Sequence, residues 1–185
     1  MKFIKKMHAI KSFKTASVIF FLCLTHIAFA QNAPQTIVFD GMALAKNKKI
    51  IAEGKDATKN TALKTFLADA DVLVKKGTFY SVMDKKIVPP SGDKHDYMSQ
   101  APYWWRDSSK PNGLPYIRRD GERNPELNNI SDHEEMIDLT HDVEIVALAY
   151  YFSKDERYAQ HAARLLKTWF LDKETRQNPH QLVKD

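Results

Sequence analysis

The sequence predicts an all-α protein in which antiparallel helical hairpins stack on one another and one long irregular loop interrupts them. Apolar residues recur at helical spacing in several stretches of the chain, and two of these stretches are joined by only a few residues. Strand signals are limited to two short runs. Residues 91–126 carry neither a helical nor a strand period, so we expect this region to form the loop.

The first 30 residues have the pattern of a secretory signal peptide. Five lysines form a basic n-region, residues 16–30 form an apolar h-region, and Ala28 and Ala30 form an A-x-A cleavage site before Gln31. The apolar run is shorter than the roughly 20 residues that a membrane span requires. We therefore expect cleavage of residues 1–30 rather than an uncleaved anchor.

Removal of this leader changes the composition of the chain. The leader holds five of the 28 basic residues and no acidic one, so 23 basic residues remain against 23 acidic residues. A formally neutral chain gives no electrostatic argument for nucleic-acid binding. The single cysteine, Cys23, lies in the leader, so no disulfide is expected. Residues 31–35 are expected to be a tether, and residues 36–185 one domain.

Two helices are predicted before the loop. A short extended run at residues 36–39 leads into a helix over residues 40–53, with Asp40 as its N-cap and Gly54 as its end. The second helix is predicted over residues 58–76 and ends at Gly77. Its apolar face is expected to comprise Ala62, Phe66, Ala70, Leu73 and Val74.

A helical hairpin is predicted after the loop. Its first helix covers residues 130–152, and its second runs from a Ser-x-x-Glu capping box at residues 153–156 to about Leu171. The apolar faces are expected to comprise Met136, Leu139, Val143, Val146, Ala147 and Tyr150, and Tyr158, Ala162, Leu165, Leu166 and Trp169. Before the loop, residues 79–88 are predicted to form a strand or a β-hairpin.

The loop at residues 91–126 is predicted to be an ordered, functional segment. Five of the eight prolines lie in or beside it. It is rich in aromatic residues, which disordered segments lack. Aromatic faces beside cations suit a ligand with apolar ring faces and negative charge, such as an acidic polysaccharide. The predicted binding residues are Tyr97, Trp104, Trp105, Arg106, Lys110, Tyr116, Arg118 and Arg119.

Structural alternatives exist for these residues. Arg118 and Arg119 are followed by acidic residues and could form ordinary surface ion pairs, although arginine is also the side chain that grips carboxylates through two hydrogen bonds. Trp104 and Trp105 could belong to the core. Adjacent residues of regular structure cannot both face inward, so at least one tryptophan is expected at the surface.

Metal, cofactor and nucleotide sites are not predicted. The run at His133 resembles the start of a zinc-protease helix motif, but position 137 is isoleucine, where the second histidine would be needed. His141 and Asp142 could bind a metal, yet surface hydrogen bonding is the more common role for such residues. The sequence contains no phosphate-binding loop and no Gly-x-Ser-x-Gly nucleophile motif.

Three motifs of the loop resemble the start of the alginate lyase superfamily domain. They are DYMSQAPYWW at residues 96–105, KPNGLPYIRRDG at residues 110–121 and NPE at residues 124–126. The helical hairpin, ALAYYFSKDERYAQHAARLLKTWFLD, is similar to the segment that follows in that family. The resemblance covers roughly residues 36–178.

The resemblance implies an (α/α) toroid, here incomplete, in a periplasmic or secreted protein. It also implies that a uronate polysaccharide such as alginate is cleaved by β-elimination. In that reaction a base removes the C5 proton, cations stabilise the charge at the carboxylate, and an acid protonates the departing O4. Tyrosine and histidine are the usual acid and base, so His95 and Tyr97 are the catalytic candidates. No cofactor, no nucleic-acid partner and no membrane contact after signal cleavage are expected, and the protein is expected to be a monomer.

The sequence also departs from the family. The family carries an Asn-Asn-His motif and a further tyrosine and arginine segment downstream, whereas here Asn128 and Asn129 are followed by Ile130. We therefore expect a chain truncated at its C-terminus, without the downstream catalytic residues. Two alternatives remain: a non-catalytic module that binds acidic carbohydrate, and a helical-repeat interaction protein, for which Tyr150, Ala159 and Ala162 resemble a tetratricopeptide unit.

Overall fold

The computed structural model describes residues 33–179, and this part of the chain is mostly helical. The predicted signal peptide lies outside the described residues, as do the first two residues of the predicted tether. The chain divides into two compact units between Ala62 and Leu63. Among the described residues, no helix is both long and apolar enough to cross a membrane.

Helices α1 (Gly41–Ala52) and α2 (Ala57–Lys76) confirm the two helices that were predicted before the loop. The Asp40 carboxylate accepts hydrogen bonds from the Met42 and Ala43 amides at 2.9 and 3.0 Å, as an N-cap should. Gly77 follows α2 with a φ of 62°, which is the left-handed conformation that favours glycine after a helix. The short extended run predicted before α1 is wrong, since residues 37–39 form bends.

Helices α3 (Asp132–Ser153) and α4 (Glu156–Phe170) form the predicted hairpin. The capping box is wrong in detail. Ser153 stays in the last turn of α3, where its hydroxyl donates to the Ala149 carbonyl at 2.6 Å. Asp155 caps α4 instead, by accepting the Arg157 amide at 3.0 Å.

Two hydrophobic clusters lie on the hairpin. The first packs α2 against both helices of the hairpin, and its buried members are Ala70, Val146, Ala149, Tyr158 and Ala162. The second buries the segment that follows α2, and its buried members are Tyr80, Val82, Leu139, Leu165 and Trp169. Three residues predicted on the apolar faces, Ala62, Ala147 and Leu166, are exposed.

The strand or hairpin predicted at residues 79–88 is wrong. Val82–Asp84 form a 3₁₀ turn, which the Ser81 hydroxyl caps by accepting the Met83 amide at 3.1 Å. Tyr80 and Val82 enter the core, and the amide of the buried Ser81 donates to the Glu135 carboxylate of α3 at 3.1 Å. A helix side chain therefore supplies the hydrogen bond that a neighbouring strand would have supplied.

The predicted loop contains a small antiparallel ribbon. Strand β1 (Trp104–Trp105) pairs with strand β2 (Ile117–Arg118), and these are the only strands in the part of the chain that the structure describes. A 3₁₀ turn, Pro125–Asn129, then leads into α3. The content of the described residues confirms the all-α class, while the toroid and the single domain over residues 36–185 stay predictions.

Candidate functional site

The ribbon of β1 and β2 brings four of the predicted binding residues together. Trp104 lies opposite Arg118, and Trp105 lies opposite Ile117. Directly opposed residues of an antiparallel pair place their side chains on the same face, and successive residues alternate between faces. Trp104 and Arg118 therefore share one face. The Trp104 side chain is 42% exposed and Arg118 is exposed, so this face is open to a ligand.

The other face of the ribbon carries a cation–π contact. The Arg119 guanidinium lies 4.8 Å from the centre of the Trp105 ring. The indole N–H of Trp105 donates to the Glu122 carbonyl at 3.1 Å, and the Arg119 amide donates to the Tyr103 carbonyl at 2.9 Å. These contacts fix the half-buried Trp105 and the guanidinium beside it.

Asn124 anchors the base of the ribbon. Its side chain is buried, and its Nδ2 donates to the Trp104 carbonyl at 2.9 Å. Its Oδ1 accepts the Glu126 amide at 2.9 Å and so caps the 3₁₀ turn, while its own amide donates to the Pro102 carbonyl at 2.8 Å. Sequence reasoning did not single out Asn124. The signal was present, because asparagine before a proline is typical of an N-cap followed by N1.

Replacing Asn124 by alanine is expected to lower the free energy of unfolding by about 1–3 kcal/mol, because the hydrogen bonds of its buried side chain to the Trp104 carbonyl and the Glu126 amide are lost. Urea denaturation of the variant checks the value. Asn128→Ala is the matched control, since that side chain is exposed and its oxygen accepts from the exposed Arg123. A loss of less than about 0.5 kcal/mol for Asn124→Ala, the size typical of surface substitutions, would contradict the anchoring role.

Three arginines of the loop have carboxylate partners at the surface. Arg118 Nε lies 2.6 Å from Asp120 Oδ1, Arg119 lies 3.7 Å from a Glu122 oxygen, and Arg106 lies 3.8 Å from a Glu126 oxygen. These side chains are all well exposed. Surface pairs of this kind contribute little stability, so a ligand carboxylate can replace the internal one at small cost.

The remaining predicted binding residues lie beside the ribbon. The stem of Arg106 packs over Gly113, where an added Cβ would come within 3.1 Å of Arg106 Cβ. Gly113 also has a φ of 70°, so glycine is required there for two reasons. Lys110 is exposed in the turn that this glycine closes, and Tyr116 is half-buried immediately before β2.

The two catalytic candidates lie outside the ribbon. Tyr97 is half-buried and packs against the second hydrophobic cluster. Burial raises the pKa of the Tyr97 phenol, as does the nearby charge of Asp132, and a hydrogen bond with Ser99 works against this rise. His95 Nδ1 lies 2.7 Å from the Arg176 carbonyl. Because a carbonyl only accepts, Nδ1 carries the proton and Nε2 is the ring nitrogen that can take one up.

Three acidic residues of α3 hold the segment that precedes the loop. Asp132 pairs with Lys85 at 3.0 Å, and neither side chain is exposed. The Glu135 carboxylate accepts the Ser81 amide, and Asp142 accepts the buried Tyr80 hydroxyl at 2.7 Å. From the sequence, Asp142 could bind a metal together with His141. Among the described residues, no group of three or more histidine, cysteine, aspartate and glutamate side chains is placed to hold a metal.

Burial raises the pKa of three of these side chains. Burial raises the pKa of Tyr80 above its usual range, and the hydrogen bond to Asp142 adds to the rise. Burial also raises the pKa of the Asp132 carboxyl, against the opposing effects of the Met98 amide and Lys85. The pKa of Glu135 is raised in the same way by burial.

Glu135→Gln is expected to be at least as stable as the unaltered protein at neutral pH. Glutamine keeps an oxygen for the Ser81 amide and removes a charge that burial disfavours. A raised pKa in the folded state means that protonation of Glu135 favours folding, so the stability advantage of the variant should shrink as the pH falls through that pKa. Urea titrations over a pH series measure this. An advantage that grows on acidification would contradict it.

Residues 175–178, which we call the strap, tie the loop to the hairpin. The Ser81 hydroxyl donates to the Thr175 carbonyl at 2.7 Å, and the Trp169 indole donates to Gln177 at 2.9 Å. Asn178 Nδ2 donates to the buried carboxylate of Asp96 at 2.7 Å. The sequence in this region showed no apolar period and predicted no structure, but its polar groups serve as long-range hydrogen-bond partners.

Comparison with known proteins identifies the family of this chain, which combines a helical hairpin with a loop that carries aromatic residues and arginines. The alginate lyase family model matches residues 81–184, more than half of the chain. The chain belongs to the alginate lyase family, which confirms the resemblance carried by the loop motifs. The matched region begins at Ser81 and so includes the ribbon, the hairpin and the strap.

A solved structure supports the same conclusion. The crystal structure of an alginate lyase from Bacteroides ovatus is 49% identical to this chain, with a TM-score of 0.66. The match covers 79% of this chain and 37% of that chain, so the present chain spans little more than a third of the length of that enzyme. No curated protein matches the sequence.

Proposed function

We propose that this chain carries the substrate-binding loop of a polysaccharide lyase that acts on a uronate polysaccharide such as alginate. The observation that carries the proposal is the pairing of Trp104 with Arg118 on the exposed face of the ribbon. Membership of the alginate lyase family and the name of the Bacteroides ovatus relative support it. The predicted signal peptide supports action in the periplasm or outside the cell.

The geometry of this face fits a sugar that carries a carboxylate. The flat ring of Trp104 offers an apolar surface for the C–H face of a sugar ring. Arg118 can exchange Asp120 for the sugar carboxylate and hold it through two parallel hydrogen bonds. Cations placed at this carboxylate stabilise the negative charge that develops when the C5 proton leaves, and such electrostatic stabilisation is usually the largest catalytic contribution.

His95 and Tyr97 remain the proposed base and acid. The protonated Nδ1 of His95 leaves Nε2 able to accept the C5 proton. A tyrosine phenol is protonated at neutral pH, and the raised pKa of Tyr97 leaves it so, which makes a proton available for the departing O4. Because the chain spans 37% of the Bacteroides ovatus enzyme, we propose turnover for the whole enzyme and substrate binding for this chain.

Calorimetric titration with alginate oligosaccharides tests the binding proposal. Trp104→Ala and Arg118→Ala should each bind about tenfold more weakly, because a loss of about 1.4 kcal/mol changes the affinity by that factor. Arg123→Ala is the matched control, since the Arg123 guanidinium donates to Asn128 and no strand of the ribbon includes it. If both ribbon variants bound as well as the control, the ribbon would not be the binding surface.

A second candidate is a non-catalytic module that binds acidic carbohydrate. It is favoured by the separate anchoring of the groups: Trp104 and Arg118 lie on the ribbon, whereas Tyr97 packs against the helical core and His95 bonds to the strap. Absorbance of the unsaturated uronate product, measured on a longer protein that contains this chain, separates the two candidates, because binding without turnover by this chain alone is expected under both. Binding without product favours the module, and product that disappears in Tyr97→Phe favours the lyase.

The helical-repeat interaction protein receives no support from the structure. The inner surface of the α3–α4 hairpin is covered by α2 in the first cluster and by Tyr80 and Val82 in the second. A scaffold would leave such a surface available to a partner. This candidate is therefore not proposed.

A further inference from the structure

Asp132 and Lys85 form a buried ion pair at the point where the loop crosses the start of α3. Asp132 Oδ2 lies 3.0 Å from Lys85 Nζ and accepts the Met98 amide at 2.8 Å. Lys85 Nζ also donates to the Val82 carbonyl. Both side chains are completely buried, and Asp132 is the first residue of the helix.

Stability alone does not account for this pair. Two charges lose their hydration on burial, and replacing a buried pair by apolar side chains of similar size is often neutral or stabilising. An apolar pair, however, cannot accept the hydrogen bond of the Met98 amide. Backbone N–H groups that leave water need a partner, and the Asp132 carboxylate is the partner that the structure gives Met98.

The Met98 backbone leads directly to the ribbon. Two residues further on, Gln100 Nε2 donates to the Trp104 carbonyl at 2.9 Å. A carboxylate fixed in the first turn of α3 thus holds the chain at Met98, and Gln100 then holds the first residue of β1. This sequence of contacts connects the helix to the face that presents Trp104 and Arg118.

We propose that Asp132 is a positioning residue that fixes the loop backbone at Met98 and so orients the Trp104–Arg118 face for its ligand. Lys85 keeps the Asp132 carboxylate charged in its buried position. The inference deepens the proposed function and rests on it for the binding measurement. It makes a distinct claim, namely that the acceptor at position 132, rather than the ion pair, is what binding requires.

Two double variants separate the acceptor from the charge. K85M/D132N removes both charges and keeps a side-chain oxygen for the Met98 amide. K85M/D132L removes both charges and the acceptor. Both variants avoid a lone buried charge, so both are expected to fold. K86M/D138L, which makes the same apolar replacements at two exposed positions, is the matched control.

The readouts are the affinity for alginate oligosaccharides and the hydrogen exchange of the Met98 amide. K85M/D132N should bind within about threefold of the unaltered chain, whereas K85M/D132L should bind about tenfold more weakly. The Met98 amide should exchange at least about tenfold faster in K85M/D132L than in K85M/D132N, because its hydrogen bond is gone. Rescue by asparagine but not by leucine is a result that a purely structural ion pair would not produce.

Unaltered affinity in a folded K85M/D132L would overturn the inference, even if Met98 exchanged faster. If that variant does not fold, Gln100→Ala provides the test, because it leaves the buried ion pair intact. Several-fold weaker binding by Gln100→Ala supports the inference, and unaltered affinity overturns it. Failure of the proposed function would look different, because the unaltered chain itself would not bind the oligosaccharides. In that case hydrogen exchange of the Met98 amide in K85M/D132L still tests whether Asp132 fixes the loop backbone. Faster exchange supports this role, and unaltered exchange contradicts it.

Discussion

Trp169→Ala is expected to lower the free energy of unfolding by about 3–5 kcal/mol, the range for truncating a large buried aromatic residue. Trp169 is fully buried in the second hydrophobic cluster, and its indole N–H donates to Gln177 of the strap. Since small domains are stable by only about 5–15 kcal/mol, the variant should populate unfolded molecules at moderate urea concentrations. Urea denaturation followed by circular dichroism measures the change.

The neighbouring residue provides the control for this prediction. Phe170 is also aromatic and also lies in the last turn of α4, but its side chain is 48% exposed. Phe170→Ala should change the free energy of unfolding by no more than about 0.5 kcal/mol, as exposed substitutions usually do. Equal losses for the two variants would mean that the second cluster is not the core of this unit.

Lys85→Met alone is expected to destabilise the chain by about 3–5 kcal/mol, because it leaves the Asp132 carboxylate buried without its counter-ion. The loss should diminish on acidification. Without Lys85 the pKa of Asp132 rises further, so protonation favours the folded variant as the pH falls through that value. Urea denaturation at neutral and acidic pH measures both effects.

Lys86→Met is the control for the charge itself. Lys86 is adjacent in sequence and exposed, so its replacement removes a cation without leaving a buried anion. It should alter the free energy of unfolding by less than about 0.5 kcal/mol at either pH. A Lys85→Met variant as stable as Lys86→Met would show that Asp132 is protonated in the folded protein and needs no counter-ion.

The helices were predictable because their signals are local. Asp40 carries its own acceptor for the first amides of α1, and Gly77 takes up the left-handed conformation that ends α2. The hairpin was predictable from apolar spacing. The segment from Tyr80 to Val82 was not predictable, because nothing local shows whether a neighbouring strand or an acidic side chain of α3 accepts from its backbone.

The composition of the loop predicted its aromatic and basic character but not its construction. That Trp104 is the exposed member of the tryptophan pair depends on its register against Arg118, which only the fold supplies. The Asp132–Lys85 pair was missed because its two residues are distant in sequence and each is ordinary by itself. A buried lysine has no sequence signature, since lysine is almost always at the surface.

The strap has a consequence for the order in which the protein acquires its structure. His95 and Asp96 receive their partners from Arg176 and Asn178, which are synthesised about 80 residues later. Chain segments separated by this much sequence come into contact late in folding, because closing a long loop costs conformational entropy before favourable contacts form. A ribosome that has released the complete loop has therefore not yet released the strap, and His95 and Asp96 reach these contacts only after α4 has emerged.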